Sequence, residues 1–406
     1  MAEHSREAGR NPALPEGTAG MTSSLRVLRI IVVDDMFRQP PVPVSTHPLL
    51  HELLGRLDTL AYSPLRRHAE TLVIAGNASV YPTHSRTKLH FFRDAYALAC
   101  QLHERYHYDV VWTDDPMGSG LVGYWLKRRY GIPLLIRVHS DYYSSLAWRL
   151  ENPRYWFDYY LSIWLLRRAD RIQAVSDLVA REVVRLGTRP ERVESLSLGV
   201  ADEQYAPGPN TLERYQAGNI LFAGRLAVEK RVDVLLRAVR LLLDRGYHPR
   251  LTLAGDGPLR QRLEALSKRL ALGGVVTFAG HLTRPELVAL YQQSSILALT
   301  SSREALPKVL VEAGLCGLPT VVSNVGGTSE IVVDGETGIL VPPGDVKALG
   351  QALARLLQNP NLARSMGQAA EHRLRPIWKY DTMIGRILAM LEHTVQDPKI
   401  RRGISQ

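Results

Sequence analysis

The sequence alternates short apolar runs with longer amphipathic segments, and this alternation begins twice. The first apolar run, Leu25–Asp35 (LRVLRIIVVDD), is continuous, which is typical of a parallel strand buried on both faces. The second series begins at Asn219–Ala223. Strands that alternate with helices favour a parallel sheet covered by helices on both sides, with ligands bound at the carboxyl ends of the strands. The sequence therefore predicts an α/β protein with two doubly wound parallel-sheet domains.

Capping residues and helix breakers set the predicted boundaries. Gly131 ends a helix over Ser119–Tyr130, and Ser176 or Asp177 caps the helix after the strand Ala169–Ser176. The other elements predicted in the first series are a helix His47–Leu60, a strand Thr71–Ala75, a helix Lys88–Tyr106, strands Asp109–Thr113 and Pro133–Val138, an aromatic-rich helix Asn152–Arg168, a helix Asp177–Gly187 and a strand Val193–Val200. The second series continues with a helix Arg231–Arg245, strands Arg250–Ala254, Val275–Phe278 and Ser294–Thr300, a helix starting at Pro307, and helices over Val346–Leu357, from Leu362 and from Trp378.

The length of 406 residues allows two domains with separate cores. The predicted segments are a disordered tail over 1–24, a first domain over 25–200, a Pro- and Gly-containing linker over 201–217, a second domain over 218–375, and a last helix and tail over 376–406. We expect the Trp and Tyr side chains of the helix Asn152–Arg168 to lie in the core or to line the ligand cleft. A membrane-surface role is disfavoured because this helix lacks a dense basic face.

Composition restricts the partners and the compartment. The net charge is +10, and residues 211–406 carry most of it, with 25 Lys and Arg against 17 Asp and Glu. No basic run is interleaved with aromatic residues, so we expect no nucleic-acid partner. No apolar run reaches the ~18 residues of a membrane-spanning helix, and the polar N-terminus lacks a signal-peptide pattern. With only Cys100 and Cys316, which indicate neither a disulfide framework nor a metal site, a cytoplasmic protein is expected.

Two carboxylates frame the start of a predicted helix. Pro307 suits the first helical position, so Glu304 lies on the preceding loop and Glu312 lies more than one turn inside the helix. Three backbone N–H groups at the helix start are predicted to be free, those of Lys308, Val309 and Leu310. A polar ligand at this helix start would meet both carboxylates and these donors. The alternative is that Glu304 is a helix-start charge and that Glu312 belongs to a solvated face.

A cationic pair follows the strand Asn219–Ala223. Gly224, Arg225 and Lys230 lie in the first strand-to-helix turn of the second domain, where backbone N–H groups and a helix N-terminus face an anion in such folds. Arg binds phosphate oxygens through two parallel N–H bonds, and Lys adds a compact charge. For either residue alone, an ordinary surface cation is the alternative.

Two further turns are candidates for ligand contact. Gly255 and Gly257 form a glycine-rich turn on which a base or a ribose would fit closely, although a plain turn is the alternative. His139, Ser140 and Asp141 directly follow the strand Pro133–Val138, at the edge where ligands are expected.

These motifs resemble retaining glycosyltransferases of family 4. One part of the resemblance is to the paired-glutamate signature of that family, and it is carried by Glu304, Glu312, Gly314, Gly317, Pro319, Gly326 and Gly327. Residues 224–230 resemble the diphosphate clamp of the family, which is Gly-Arg-Leu followed by a two-residue gap and Glu-Lys. Residues 133–142 (PLLIRVHSDY) resemble its short strand ending in His. The resemblance covers residue 109 to the end and is strongest over 219–345. The chain departs from the family in Ala305-Leu306, where Gly-Phe is usual, and in the loop 34–43, which has no glycine.

The resemblance implies the GT-B arrangement, in which two Rossmann-like domains face a cleft. It implies transfer of a sugar from a nucleotide-diphosphate sugar to a hydroxyl of a glycan, a lipid-linked sugar or a small molecule. The implied catalytic residues are Arg225 and Lys230, which would bind the leaving diphosphate and stabilise its growing charge, and Glu304 and His139, which would hold the transferred sugar. Glu312 would bind the ribose. The donor would also contact Gly224, Gly255, Gly257, His281, Leu282, Leu306, Pro307, Lys308 and Val309, and the acceptor Ser140 and Asp141. No metal or other cofactor is implied besides the nucleotide-sugar co-substrate.

Two other classes of function fit the same residues. One is a different enzyme on this scaffold, a nucleotide-sugar epimerase or a phosphorylase. The other is a non-catalytic protein that binds sugar nucleotides, which the glycine-free loop 34–43 motivates. The sequence leaves open the nucleotide, the sugar, the acceptor, the oligomeric state and peripheral contact with a membrane through a lipid-linked acceptor.

Overall fold

Strands and helices alternate along the described chain in this computed structural model. The described residues are 23–32, 50–63, 70–139, 149–150, 152–197, 200, 202–398 and 400. The first elements are β1 (Ser23–Ile31), α1 (Leu50–Leu53), β2 (Leu54–Ala61), β3 (Leu72–Ala75), β4 (Ala78–Pro82), α2 (His90–Tyr106), β5 (Val110–Thr113), α3 (Ser119–Tyr130), β6 (Leu134–Val138), α4 (Arg154–Leu166), β7 (Arg171–Ala174), α5 (Asp177–Arg185) and β8 (Val193–Ser195). They are followed by α6 (Leu212–Gln216), β9 (Asn219–Ala223), α7 (Val232–Asp244), β10 (Arg250–Ala254), α8 (Arg260–Arg269), β11 (Val276–Gly280), α9 (Arg284–Gln293), β12 (Ile296–Leu299), α10 (Lys308–Leu315), β13 (Thr320–Ser323), α11 (Thr328–Ile331), β14 (Gly338–Val341), α12 (Val346–Gln358), α13 (Pro360–Ile377) and α14 (Tyr380–Gln396).

The strands form two sheets, which confirms the predicted fold class. The eight-stranded sheet has the order β3-β4-β2-β1-β5-β6-β7-β8, and the six-stranded sheet has the order β11-β10-β9-β12-β13-β14. Every pairing in the six-stranded sheet is parallel. Its chain runs outward from β9 to β11 and then returns to the other side of β9 as β12. The loops after β9 and β12 therefore lie at the point where the strand order reverses, which is the usual ligand position in such sheets.

The burial of the six-stranded sheet explains why its strands could be predicted from the sequence. The inner strands β12 and β13 are buried throughout, and Leu221 and Phe222 of β9 are fully buried. A strand covered on both faces needs apolar residues at successive positions rather than at alternate ones. The predicted bounds of β9 and β10 match the observed ones.

Residues 54–61 form a strand where the sequence predicts the second half of the helix His47–Leu60. Only the short helix α1 precedes β2, which pairs in parallel with β1 on one side and β4 on the other. Gly55 lies so close to the carbonyl oxygen of Ser24 that a Cβ would overlap it, and Asp58 is fully buried. The helix prediction is wrong because the pairing of a central strand depends on residues distant in sequence, which outweighs local periodicity.

Other differences concern single elements. The strand predicted at Thr71–Ala75 is β3, but it pairs antiparallel with β4 and Val73 is exposed, so it forms an edge instead of continuing the parallel sheet. Within α4, Tyr160 is 62% exposed, so it does not lie in the core, and the other part of the expectation, a place in the wall of a ligand cleft, stays a prediction. The last helix begins at Tyr380 and not at Trp378, and β8 is shorter than predicted.

The chain divides into two compact units. One contains the described parts of 1–137, 160–172 and 381–406, and the other contains the described parts of 138–159 and 173–380. The predicted domain boundaries stay a prediction, although the segment expected to be a linker contains α6 and the buried residues Tyr205 and Tyr215. Residues 1–22 of the predicted tail lie outside the described residues. Among the described helices, none has both the length and the apolar character needed to cross a membrane.

Candidate functional site

Lys230 and Glu304 form an ion pair at the carboxyl edge of the six-stranded sheet. Lys230 ends a single 3₁₀ turn after β9, and Glu304 lies on the loop after β12. The Lys230 Nζ is 2.6 Å from the Glu304 Oε1, and the two side chains are 18% and 9% exposed. The hydroxyl of Ser301 donates to the same carboxylate oxygen at 2.5 Å. The structure thus brings together two of the predicted site residues at the reversal point of the strand order.

Hydrogen bonds to backbone carbonyls hold these two loops together. The hydroxyl of Thr300 donates to the Lys230 carbonyl at 3.0 Å, and the Ser302 N–H donates to the Glu229 carbonyl at 2.7 Å. Arg231 then starts α7 from a left-handed conformation, with φ 45°. A non-glycine residue in that region costs about 1 kcal/mol or more, so the surrounding contacts fix this turn and the direction of Lys230.

Gly326 and Gly327 fit tightly against the loop that carries Glu304. A Cβ on Gly326 would overlap the Glu304 carbonyl oxygen, and one on Gly327 would overlap that of Ala305. The Gly327 N–H donates to the Glu304 carbonyl at 3.2 Å, and Gly326 has φ 55°. The two glycines of the motif are therefore needed here for the close approach of two loops.

Glu312 is the fifth residue of α10, where its carboxylate accepts a hydrogen bond from the hydroxyl of Tyr291 at 2.9 Å. Pro307 is the N-cap with extended backbone angles, rather than the first helical residue. The N–H of Leu310 donates to the Pro307 carbonyl at 3.0 Å, so the prediction that this donor is free is wrong. Among the other predicted residues of this segment, Lys308 is exposed, Val309 and Leu306 are half-buried against the core, and Pro307 is buried.

Arg225 is exposed, and its side chain makes no hydrogen bond or ion pair within the described part of the chain. Gly224, just before it, has φ 151° and donates its N–H to the Ala254 carbonyl at 2.9 Å. A Cβ on Gly255 would overlap the carbonyl oxygen of Gly224, and one on Gly257 would fall on the backbone of Leu226. Packing between the loops after β9 and β10 is therefore enough to require both glycines.

The remaining predicted site residues follow other strands or lie outside the described residues. His281 is exposed just after β11, while Leu282 is half-buried against the core. His139 follows β6 directly and is exposed. Ser140 and Asp141 lie outside the described residues, as does the glycine-free loop 34–43.

The eight-stranded sheet carries a buried polar cluster that the sequence did not indicate. Asp114, after β5, accepts hydrogen bonds from Arg29 Nε at 3.1 Å and from Arg137 at 3.3 Å. Arg137 is fully buried and its guanidinium lies 4.3 Å from the centroid of the Trp112 ring. Burial lowers the pKa of Arg137 to about 9, although the nearby Asp114 opposes this shift. From the sequence alone, an arginine in a strand is expected at the surface, because the buried carboxylate that pairs with it lies far away along the chain.

The neighbouring Asp115 is used for capping. Its carboxylate accepts from the hydroxyl of Ser119 at 2.6 Å, at the start of α3, and burial raises its pKa. No cluster of three His, Cys, Asp or Glu side chains suited to a metal occurs in the part of the chain that the structure describes. That the reaction needs no metal stays a prediction.

Comparison with known proteins gives the same family for both halves. The sequence pattern described as Glycosyltransferase Family 4 matches residues 50–204, and that described as Glycosyl transferases group 1 matches residues 212–373. D-inositol 3-phosphate glycosyltransferase 2 of Catenulispora acidiphila is 32% identical over 296 residues, which cover 68% of this chain and 69% of the relative.

Solved structures show the same fold over most of the chain. Sucrose-phosphate synthase from Thermosynechococcus elongatus matches with a TM-score of 0.78 at 20% identity. The match covers 91% of this chain and 98% of the synthase chain. HepE of Anabaena in complex with UDP matches with a TM-score of 0.72 at 18% identity. The match covers 91% of this chain and 100% of the HepE chain. The two parallel α/β sheets are thus those of a GT-B glycosyltransferase. The chain belongs to glycosyltransferase family 4, and it is an enzyme of glycosyl transfer.

Proposed function

We propose that this enzyme transfers a sugar from a nucleotide-diphosphate sugar to an acceptor hydroxyl with retention of the anomeric configuration. The observation that carries the proposal is the pairing of Lys230 with Glu304 at the reversal point of the six-stranded sheet. A cation and a carboxylate held side by side match a donor whose diphosphate is anionic and whose sugar is rich in hydroxyls.

The remaining hydrogen-bonding capacity of this pair suits the donor. An ammonium group has three donors, and Lys230 uses one of them on Glu304, so two are left for phosphate oxygens. Lys230 and Ser301 both bind Oε1 of Glu304, so Oε2 is the oxygen that would accept from a hydroxyl of the transferred sugar. The exposed guanidinium of Arg225 would bind the diphosphate from the same turn.

The chemical step follows from where charge develops. As the bond between the anomeric carbon and the phosphate oxygen breaks, negative charge grows on the leaving diphosphate, and Lys230 and Arg225 would stabilise it. Fixed cations aimed at such charge usually supply the largest catalytic contribution. In a retaining reaction the acceptor hydroxyl attacks the face from which the diphosphate departs, and its proton passes to a leaving phosphate oxygen. His139 would hold a hydroxyl of the transferred sugar, and Glu312 the ribose.

The first test is binding and product analysis with a panel of UDP, GDP and ADP sugars. We expect one nucleotide class to raise the unfolding temperature, because a ligand that binds only the folded state stabilises it. UDP is the first nucleotide to try, since HepE was solved with it, and D-inositol 3-phosphate is the first acceptor, after the name of the relative. A product of inverted configuration, or no stabilisation by any of the three classes, would contradict the proposal.

The same assay separates the alternatives. Incubation with the donor and no acceptor gives an isomer of the intact donor if the enzyme is an epimerase, and sugar phosphate forms from donor and inorganic phosphate if it is a phosphorylase. A protein that only binds sugar nucleotides gives stabilisation without donor hydrolysis. A cytoplasmic site of action and contact with a membrane stay predictions that cell fractionation would test.

A further inference from the structure

A buried tyrosine holds the carboxylate that we assign to the ribose. Tyr291 lies on α9 and is fully buried, and its hydroxyl donates to Oε2 of Glu312 at 2.9 Å. Tyr205 is also buried and lies close to the same carboxylate, so burial and then the charge of Glu312 raise its pKa. Burial and Glu312 raise the pKa of Tyr291 as well, so this phenol remains a donor over the physiological pH range.

A buried arginine fixes the two helices that carry this contact. Arg214, on α6, donates to the carbonyl oxygens of Tyr291 at 2.7 Å, Ser294 at 3.0 Å and Cys316 at 3.3 Å. These carbonyls belong to the C-terminal ends of α9 and α10, where the helix dipole favours a cation. Burial lowers the pKa of Arg214, but an arginine stays protonated at neutral pH. Arg214 therefore sets the position of α9 relative to α10, and with it the distance from the Tyr291 hydroxyl to Glu312.

We propose that Tyr291 is a positioning residue that orients the Glu312 carboxylate for the two hydroxyls of a nucleotide ribose. A carboxylate on a long side chain rotates about three bonds, and ordering it costs conformational entropy. The hydrogen bond to Oε2 restricts the carboxylate in advance, so less conformational entropy is lost when Glu312 accepts from a ribose. This inference rests on the proposed function, because it takes Glu312 to bind the ribose.

The test compares binding of two nucleotides by isothermal titration calorimetry. The probes are the nucleoside diphosphate that stabilises the enzyme most among UDP, GDP and ADP, and its 2′,3′-dideoxy analogue. A charge-assisted hydrogen bond supplies about 10- to 100-fold in affinity, so we expect the wild-type enzyme to prefer the ribonucleotide by that factor. In Tyr291→Phe this preference should fall about tenfold, and in Glu312→Gln it should nearly vanish. In turnover assays, Tyr291→Phe should raise the donor KM and leave kcat within about threefold.

Tyr215→Phe is the matched control. Tyr215 is buried too, and its hydroxyl donates to the Gly317 carbonyl at 3.0 Å. The substitution Tyr215→Phe removes the same atom from the same core without touching Glu312. Arg214 loses only its 3.4 Å bond to this hydroxyl and keeps its three carbonyl partners, so we expect similar thermal destabilisation but the wild-type nucleotide preference. If Tyr291→Phe does not fold, Arg214→Lys tests the same network. The donors of a lysine all lie on one nitrogen and cannot span these three carbonyls as the separate nitrogens of the guanidinium do, so the preference should fall there as well.

The outcomes separate the inference from the proposed function. An unchanged ribonucleotide preference in Tyr291→Phe or in Arg214→Lys, together with its loss in Glu312→Gln, would overturn the role of Tyr291 alone. Equal binding of both nucleotides by the wild-type enzyme would instead overturn the assignment of Glu312 to the ribose, and the inference with it.

Discussion

The two sheets place charged side chains at their carboxyl edges in different ways. In the six-stranded sheet, Lys230 and Glu304 pair on short loops, and Arg225, on the same loop as Lys230, is exposed. In the eight-stranded sheet, Arg29 and Arg137 are buried against Asp114. The first edge keeps charged groups within reach of a ligand, whereas the second satisfies its charges within the protein. Substitutions at the first edge should therefore change turnover most, and substitutions at the second should change stability most.

The largest effect is expected from the cations of the six-stranded sheet. Arg225→Ala and Lys230→Ala should each lower kcat by about 10²-fold or more, because each removes a group that stabilises the leaving diphosphate. Thermal unfolding should separate the two variants. Arg225 is exposed, so its variant should keep the wild-type unfolding temperature. Lys230→Ala leaves Glu304 without its cation, so this variant should unfold at a lower temperature. Unchanged turnover in both variants would refute a diphosphate site at this turn.

The second prediction concerns the fit of the loops at the same edge. Gly326→Ala places a Cβ on the Glu304 carbonyl oxygen and should cost roughly 3 kcal/mol or more in unfolding free energy. Gly335→Ala is the matched control, because Gly335 also has a positive φ, 77°, but its Cβ would meet open space. The control should lose only about 1–2 kcal/mol. Equal losses in denaturant titrations would mean that the backbone angle matters and the close approach does not.

The third prediction tests the eight-stranded sheet. Asp114→Asn removes the charge that Arg29 and the fully buried Arg137 share, and it should cost about 3 kcal/mol in unfolding free energy. Asp94→Asn is the control, since Asp94 pairs with the mostly exposed Arg93 and should cost less than about 0.5 kcal/mol. The donor KM should not change in either variant. A loss for Asp114→Asn no larger than that of its control would contradict a buried structural role.

The smallest effect is expected at Glu330, on α11. Its carboxylate accepts from the N–H groups of Asp177 and Leu178 at 3.0 and 2.8 Å, while the N–H of Val179 donates to the Ser176 hydroxyl. A carboxylate at a helix N-terminus stabilises by about 1 kcal/mol, so Glu330→Gln should lose about that much. Glu336→Gln, on an exposed turn nearby, should be neutral. Denaturant titration of both variants checks this, and equal stabilities would contradict the capping role.

The places of the candidate site residues in the six-stranded sheet were largely predictable, because their sequence signals are local. The short loops that follow the largely buried strands β9, β12 and β13 contain Gly224, Lys230, Glu304 and the Gly326-Gly327 turn, so apolar runs and glycines mark where each loop begins. Contacts between elements were not predictable. Nothing in the sequence distinguishes Tyr291 from any other apolar residue of a helix, yet its hydroxyl binds Glu312.

The eight-stranded sheet was less predictable for the same physical reason. Residues 54–61 have the local pattern of a helix and become a strand only because β1 and β4 pair with them. Arg29 and Arg137 are buried only because Asp114 of a third strand end lies between them. Where a structure depends on partners distant in sequence, local patterns indicate the fold class but not the role of single residues.

The most direct test of the proposed donor site is a crystal structure of the enzyme with its preferred nucleoside diphosphate. We predict that the diphosphate oxygens lie within hydrogen-bonding distance of Lys230 Nζ and the Arg225 guanidinium, with the ribose on Glu312. A nucleotide bound elsewhere on the protein, with Lys230 still occupied only by Glu304, would contradict the assignment.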